Sequence, residues 1–341
     1  MTPLLDRKLV FVTGKGGVGK STIAAALAMT AARQGKRVLA CEFDAKGDLL
    51  ASFAGAGATG GRQGKPLAFA PREIAPNLYA MAMDPEESLK EYLKLNLRIP
   101  LITKVGALST AFDFLANAAP GIREIVTVGK VAFEARENNY DIVVVDATAS
   151  GHIVGQLRAP QAINELVGVG AIRSQTGWML KILNDPNQCG VVITTTAHEM
   201  PVHETVELLA SLRRDTDVDI AGVVVNRLLP ELFVSSEGKA FDVLNRSTRE
   251  GSSDPGRESR ELRKRFDAEL DDASAAGALI EGARLARTQR RNEVVQLEAL
   301  SAALARFGVG QPALIPMLFD VVPGYETTRI VAEHLVDEWG M

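Results

Sequence analysis

Short apolar, β-branched runs punctuate the chain, each followed by a longer stretch of helical character. The runs are 8–13 (KLVFVT), 37–43 (RVLACEF), 140–146 (YDIVVVD), 190–194 (GVVIT) and 220–226 (IAGVVVN). A weaker one, 313–317 (ALIPM), contains a proline and reads as an edge or a strand end. Near-continuous apolar strands alternating with helices predict a parallel sheet covered on both faces. Right-handed crossovers make the expected fold α/β, doubly wound, with ligand loops at the carboxyl ends of the strands.

The helix after the first strand, Ser21 to Gln34, is Ala-rich and stops at Gly35. A helical insertion is expected over about 84–135. It opens with DPEESLKEYLKLNL, an amphipathic helix capped by Asp84 and Pro85, and is broken at Pro100, Pro120 and Gly121. A second non-sheet segment, charged and helical, spans about 231–307 and includes a polar loop, STREGSSDPGRES. The run Arg260 to Arg265 within it reads as a solvated helix face. Residues 1–341 are read as one domain carrying these two segments.

Composition narrows the function classes. Hydrophobic residues make up 46% and aromatics 5% of 341 residues, so the core is aliphatic. A net charge of −4 argues against a general nucleic-acid-binding surface. Two cysteines far apart, Cys41 and Cys189, do not make a disulfide scaffold and point to a reducing compartment. The start lacks the apolar run of a signal peptide, and no run reaches the roughly 18 apolar residues of a membrane span. The expected location is the cytoplasm.

The strongest chemical signal is Gly14-Lys15-Gly16-Gly17-Val18-Gly19-Lys20-Ser21-Thr22, between a predicted strand and a predicted helix. It fits G-x-x-x-x-G-K-[ST], the loop that cradles a triphosphate. Glycines let backbone N–H groups approach phosphate oxygens, and the helix start adds a positive dipole end. Lys20 is expected at the β and γ phosphates and Ser21 on Mg²⁺. The expected ligands are therefore ATP and Mg²⁺. Asp146 ends the run IVVVD, where a carboxylate can hold Mg²⁺ or its waters. Asp44 ends the second strand and is the candidate for orienting or deprotonating water. Glu42 alternates with it onto the same side, so spacing does not separate the two. His198-Glu199 and His203 follow H-E-x-x-x-H, which is not the spacing of a zinc helix.

Lys15 makes the loop more specific. K-G-G-x-G-K-[ST] resembles the deviant Walker A of the P-loop group that includes ParA, MinD, nitrogenase iron protein and the ArsA ATPases. That resemblance implies a dimer in which Lys15 reaches the partner's phosphates, like an arginine finger supplied in trans. Three further stretches resemble the ArsA / tail-anchored-protein-targeting ATPase family. Asp146 to His152 (DATASGH), with Leu157 and Pro160, is similar to its switch II, with Ala149 where proline is usual. Residues 194–208 followed by VVVNRLL are similar to its strand–helix–strand ending in N-[RQ]-L, which implies an adenine contact for Asn226. Ile315-Pro316-Met317 to Pro323-Gly324 resembles its late loop over the adenine. Switch I departs from the family's D-P-A-H, reading Asp44-Ala45-Lys46-Gly47.

The resemblance implies an ATP-hydrolysing dimeric switch acting on a protein client or partner. Two cysteines cannot supply three soft ligands, so an arsenite-pump role is disfavoured, and no C-x-x-C zinc clasp is present. Leu93, Leu97, Ile99, Leu101 and Ile102 of the insertion read as core, with a client surface as the alternative. Two other readings remain open: a MinD/ParA-like positioning ATPase, and one subunit of a heterodimer with a related ATPase.

Overall fold

The structure is a computed structural model that describes residues 2–44, 46–55, 66–97, 121–166, 171–233, 235–246, 257–270, 273–319 and 321–341. Its strands are β1 (Leu9–Gly14), β2 (Val38–Glu42), β3 (Arg72–Ala75), β4 (Leu78–Ala82), β5 (Ile142–Ala149), β6 (Cys189–Thr195), β7 (Ile220–Leu228) and β8 (Ala313–Pro316). They form one sheet in the order β3-β4-β2-β5-β1-β6-β7-β8. Neighbours run parallel except β3, which is antiparallel to β4. The α/β, mainly parallel architecture expected from the apolar runs is what the chain adopts. The proline-bearing run forms β8 at one edge.

The β3–β4 pair is not among the predicted strands. β3 has four residues and only Ile74 is buried, while β4 (LYAMA) mixes in Ala and Met, which favour strands weakly. Asn77 makes the tight turn between them at φ +62°, a backbone state that asparagine tolerates.

The helices are α1 (Lys20–Arg33), α2 (Asp48–Ser52), α3 (Pro85–Leu97), α4 (Ile122–Arg136), α5 (Ser150–Leu166), α6 (Ala171–Leu183), α7 (Glu199–Asp215), α8 (Ser235–Arg246), α9 (Arg257–Leu270), α10 (Ala273–Arg306) and α11 (Tyr325–Trp339). Strand alternation sorts them onto two faces. Leu9 and Phe11 pack with Val131 of α4, Leu157 of α5, Leu183 of α6, Leu209 of α7 and Leu300 of α10. Val10 and Val12 join the opposite cluster, with Ile23 and Leu27 of α1, Leu49 of α2 and Leu335 of α11. Burial on both sides is why β1, β2, β5, β6 and β7 read as mainly apolar runs. Cys41 and Cys189 are free thiols enclosed in β2 and β6, and burial pushes both well above the usual thiol range.

In the insertion, Asp84 Oδ1 accepts the N–H groups of Glu86 and Glu87 at 2.9 and 3.0 Å, which caps α3 as expected. Lys130 of α4 is buried between Glu134 (2.7 Å) and Glu91 of α3 (2.6 Å), joining the two helices. The side chains of Leu93 and Leu97, with residues Ile99, Leu101 and Ile102, lie outside the described part. So does most of the predicted polar loop, residues 247–256. Glu293 of α10 is buried and accepts the N–H of Leu229 at 3.0 Å, which ties α10 to the end of β7. No helix among the described residues is long and apolar enough to cross a membrane.

Candidate functional site

The glycine-rich loop joins β1 to the N-terminus of α1, at the carboxyl edge of the sheet. Two of its glycines are required by their neighbours. A Cβ on Gly14 (φ +146°) would stand 2.0 Å from the Thr194 carbonyl oxygen of β6, and one on Gly19 (φ +98°) would stand 2.3 Å from Asn226 Nδ2. The loop is braced from β7. Asn226 Nδ2 donates to Val18 O at 2.9 Å, and Arg227 Nη1 donates to Gly17 O at 3.1 Å. Arg227 holds φ +58°, and its N–H donates to Asn226 Oδ1 at 3.0 Å. Such left-handed non-glycine residues cluster where a site over-determines the backbone. Lys20 Nζ lies folded back on the loop, 3.3 Å from Lys15 O.

A cleft of about 990 Å³ opens over this loop. Gly16, Gly17, Gly19, Lys20, Ser21 and Thr22 form its floor, and Asp44, Lys46 and Asp48 one wall. Ala149 at the end of β5 and Arg227 of β7 also face it. The far rim is Val322, Pro323, Gly324, Thr327 and Thr328. This rim is bound to the wall near α2: Tyr325 N–H donates to Ala54 O at 2.8 Å, and Thr328 Oγ1 donates to Ser52 O at 2.7 Å.

The two carboxylates that spacing left tied are separated here. Glu42 is buried and accepts the N–H groups of Asp48 (2.9 Å) and Leu49 (3.5 Å), capping α2. Burial pushes its carboxyl up, opposed by those N–H groups. Asp44 faces the cleft with Oδ2 3.1 Å from Lys46 Nζ.

Asp146 stands opposite Glu42 in the β2–β5 register and is 6% exposed. Burial pushes its pKa up to about 7; the Ser21 hydroxyl and Lys20 ammonium pull it down, while the Glu42 and Asp48 charges push it further up. Its Oδ1 has no hydrogen-bond partner. A buried, unpartnered carboxylate oxygen beside the Ser21 hydroxyl and two more acids fits a hard divalent cation or its waters. Ser21 and Asp146 are therefore the residues that could hold Mg²⁺.

The remaining expected residues are placed differently. Gly14, Val18, Asp146 and Asn226 do not line the cleft, and neither does Pro316, the last residue of β8. Lys15 also points away: its Nζ is 2.6 Å from Glu204 Oε1 on α7. Thr13 Oγ1 donates to Thr148 O at 2.8 Å, linking β1 to the end of β5, and His152 is exposed. His203 lies 3.3 Å from Glu207. Among the described residues no group of three or more His, Cys, Asp or Glu is placed to hold a metal. Sequence reading assigned no role to Arg227, Lys46 or the two threonines of the rim, all of which line the cleft. For Arg227 the only signal was its place inside N-[RQ]-L.

The family model described as an anion-transporting ATPase, the ArsA ATPase model, matches residues 7–181, which is more than half of the chain. The chain belongs to the ArsA ATPase family. ATPase BagA of Mycobacterium tuberculosis is 31% identical over 312 residues, covering 86% of this ArsA ATPase and 84% of its own length. ATPase get3 of Schizosaccharomyces japonicus is 27% identical over 254 residues, covering 65% of this chain and 75% of its own. The ATPase ASNA1 homolog of Entamoeba dispar is 23% identical over 268 residues, covering 65% and 77%. The matched span contains the glycine-rich loop, Asp44 and Asp146, so it covers the floor and one wall of the cleft just described.

Proposed function

We propose that this ArsA ATPase hydrolyses ATP as a dimer and couples the nucleotide state to a protein client or partner in the cytoplasm. The observation that carries this reading is Lys15, whose ammonium lies outside its own cleft. A cation turned away from its own phosphate site is available to a neighbour's.

The proposed chemistry uses the side chains in place. Loop N–H groups and the start of α1 bind the phosphates. Lys20 exchanges Lys15 O for phosphate oxygens. Mg²⁺ held through Ser21 and Asp146 would neutralise charge on the β and γ phosphates. Asp44 orients water and takes its proton as the bond to the γ phosphorus breaks, giving ADP and phosphate. Lys15 of the second subunit offsets the charge that develops. Asn226 contributes a spare N–H and a spare lone pair for adenine while it braces Val18. Pro316 positions the late loop whose Val322–Gly324 rim closes the base side. Switch I and switch II carry the change to the insertion of α3 and α4, where the client is proposed to bind.

Lys15→Ala tests this reading. The variant should bind ATP within a few-fold of the parent and lose at least about 100-fold in turnover, since a cation supplied in trans is worth 10³–10⁵ in comparable sites. Undiminished turnover ends the trans-lysine reading.

A heterodimer with a related ATPase is the second reading. The Asp44–Lys46 pair in the altered switch I favours it, because Lys46 engages the carboxylate that is proposed to orient water. Co-purification from the native host separates the two readings and identifies the client. A MinD/ParA-like role has less support, since α11 buries Val331, Ala332 and Leu335 against the sheet and α1. An arsenite pump has little support from thiols enclosed in β2 and β6, with β5 and β1 between them.

A further inference from the structure

We infer that Glu204 is the positioning residue for Lys15: it holds the trans lysine in reserve on α7 and so sets the protein concentration at which hydrolysis begins. This rests on the dimer reading above and adds the element that would regulate it.

Both ends of Lys15 are held within the subunit. Its carbonyl oxygen accepts from Lys20 Nζ at 3.3 Å, and its ammonium meets Glu204 Oε1 at 2.6 Å. Glu204 lies 189 positions away in sequence, in the second turn of α7. That helix is fixed to the core by Val202, Thr205, Leu208 and Leu209, all buried, so the carboxylate has a rigid base. The pair is about one-third exposed on each side, which leaves it open to exchange. Among the described residues, Glu204 is the carboxylate that meets Lys15.

The lysine cannot serve a partner's phosphates while this carboxylate travels with it. A second negative charge beside a triphosphate opposes the contact that the ammonium is there to make. Dimer closure therefore has to separate Lys15 from Glu204 in each subunit. An ion pair exposed to this degree is worth about two- to fivefold in an equilibrium. Two pairs open per dimer, so the combined barrier is on the order of tenfold. ATP loosens the same device, because Lys20 must leave Lys15 O to reach phosphate. The loop is then freed at its backbone just when the side chain is needed elsewhere.

The test is ATP turnover against protein concentration, with excess Mg²⁺ and ATP, for the parent, Glu204→Gln, Glu204→Asp and Lys15→Ala. Thermal unfolding of each variant confirms that it is folded. Glu204→Gln should reach half-maximal turnover at a concentration on the order of tenfold lower, with the plateau rate unchanged. Glu204→Asp should move back towards the parent. Dimer fraction in Mg²⁺ and a non-hydrolysable ATP analogue, read by sedimentation velocity, should rise in Glu204→Gln but not when Lys15→Ala is also present. A merely structural glutamate would move the melting temperature and leave that dependence on Lys15 absent. If Lys15→Ala is inactive and Glu204→Gln follows the parent curve, the inference is wrong and the trans-lysine reading stands. A Glu204→Gln protein that dimerises but has lost its plateau rate also overturns it. Full turnover by Lys15→Ala removes the reading and the inference together.

Discussion

Asp146 carries its proton at a pH where an exposed aspartate would not, and this has a sign that can be measured. Its folded pKa is about 7 and its ordinary value 3.8, so between those limits the folded chain keeps a proton that the unfolded chain has lost. Without ligand, its contribution to stability therefore falls as pH rises from about 4 through 7 and is flat above. Asp146→Asn should remove that slope and be the more stable protein at pH 8 without nucleotide, by on the order of 1–3 kcal/mol. With Mg²⁺ and ATP the order should invert, since the cation needs the carboxylate. The parent's gain in melting temperature on adding both should be larger at pH 8 than at pH 6, and Asp146→Asn should show almost none. Gly14 supplies a second prediction at this scale. Gly14→Ala drives a Cβ into the backbone of β6 and should cost more than about 2 kcal/mol in urea unfolding. Gly16→Ala meets no atom within 4 Å and should leave unfolding unchanged.

Among the elements, α11 couples stability to the site. Leu335 is fully buried between the sheet and α1, and the first turn of α11 continues the rim that is bonded to Ala54 and Ser52. Leu335→Ala should cost about 2–5 kcal/mol by urea unfolding. It should also weaken nucleotide binding several-fold in isothermal titration, because the rim loses its anchor. Elements also show what could be read beforehand. The strands buried on both faces were legible because their runs are mostly aliphatic, with polar residues such as Glu42, Asp146 and Asn226 falling towards their carboxyl ends. β3 and β4 were not, because an edge pair of four and five residues has too little apolar pattern to stand out from a loop. The phosphate loop was legible down to its residues, since its chemistry fixes glycine, lysine and serine at set spacings. The choice between Glu42 and Asp44 was not, because the free N–H groups of α2 that decide it come from the folded arrangement. Nor was the Lys15–Glu204 pair, which exists only because α7 packs beside the loop.

At the scale of the molecule, the sheet is a fixed frame with its variable parts at one edge. The cleft, Asp44, Ala149, the rim and the base of α7 all stand at the carboxyl ends of the strands. The two native thiols lie in the interior of that frame, fully enclosed and hard to ionise. The protein is thus chemically silent towards a maleimide dye while folded. A single cysteine in place of Val322, which is 81% exposed on the rim, would be the one site to take a label. Its emission would then report opening and closing of the cleft in real time, without removing either native cysteine.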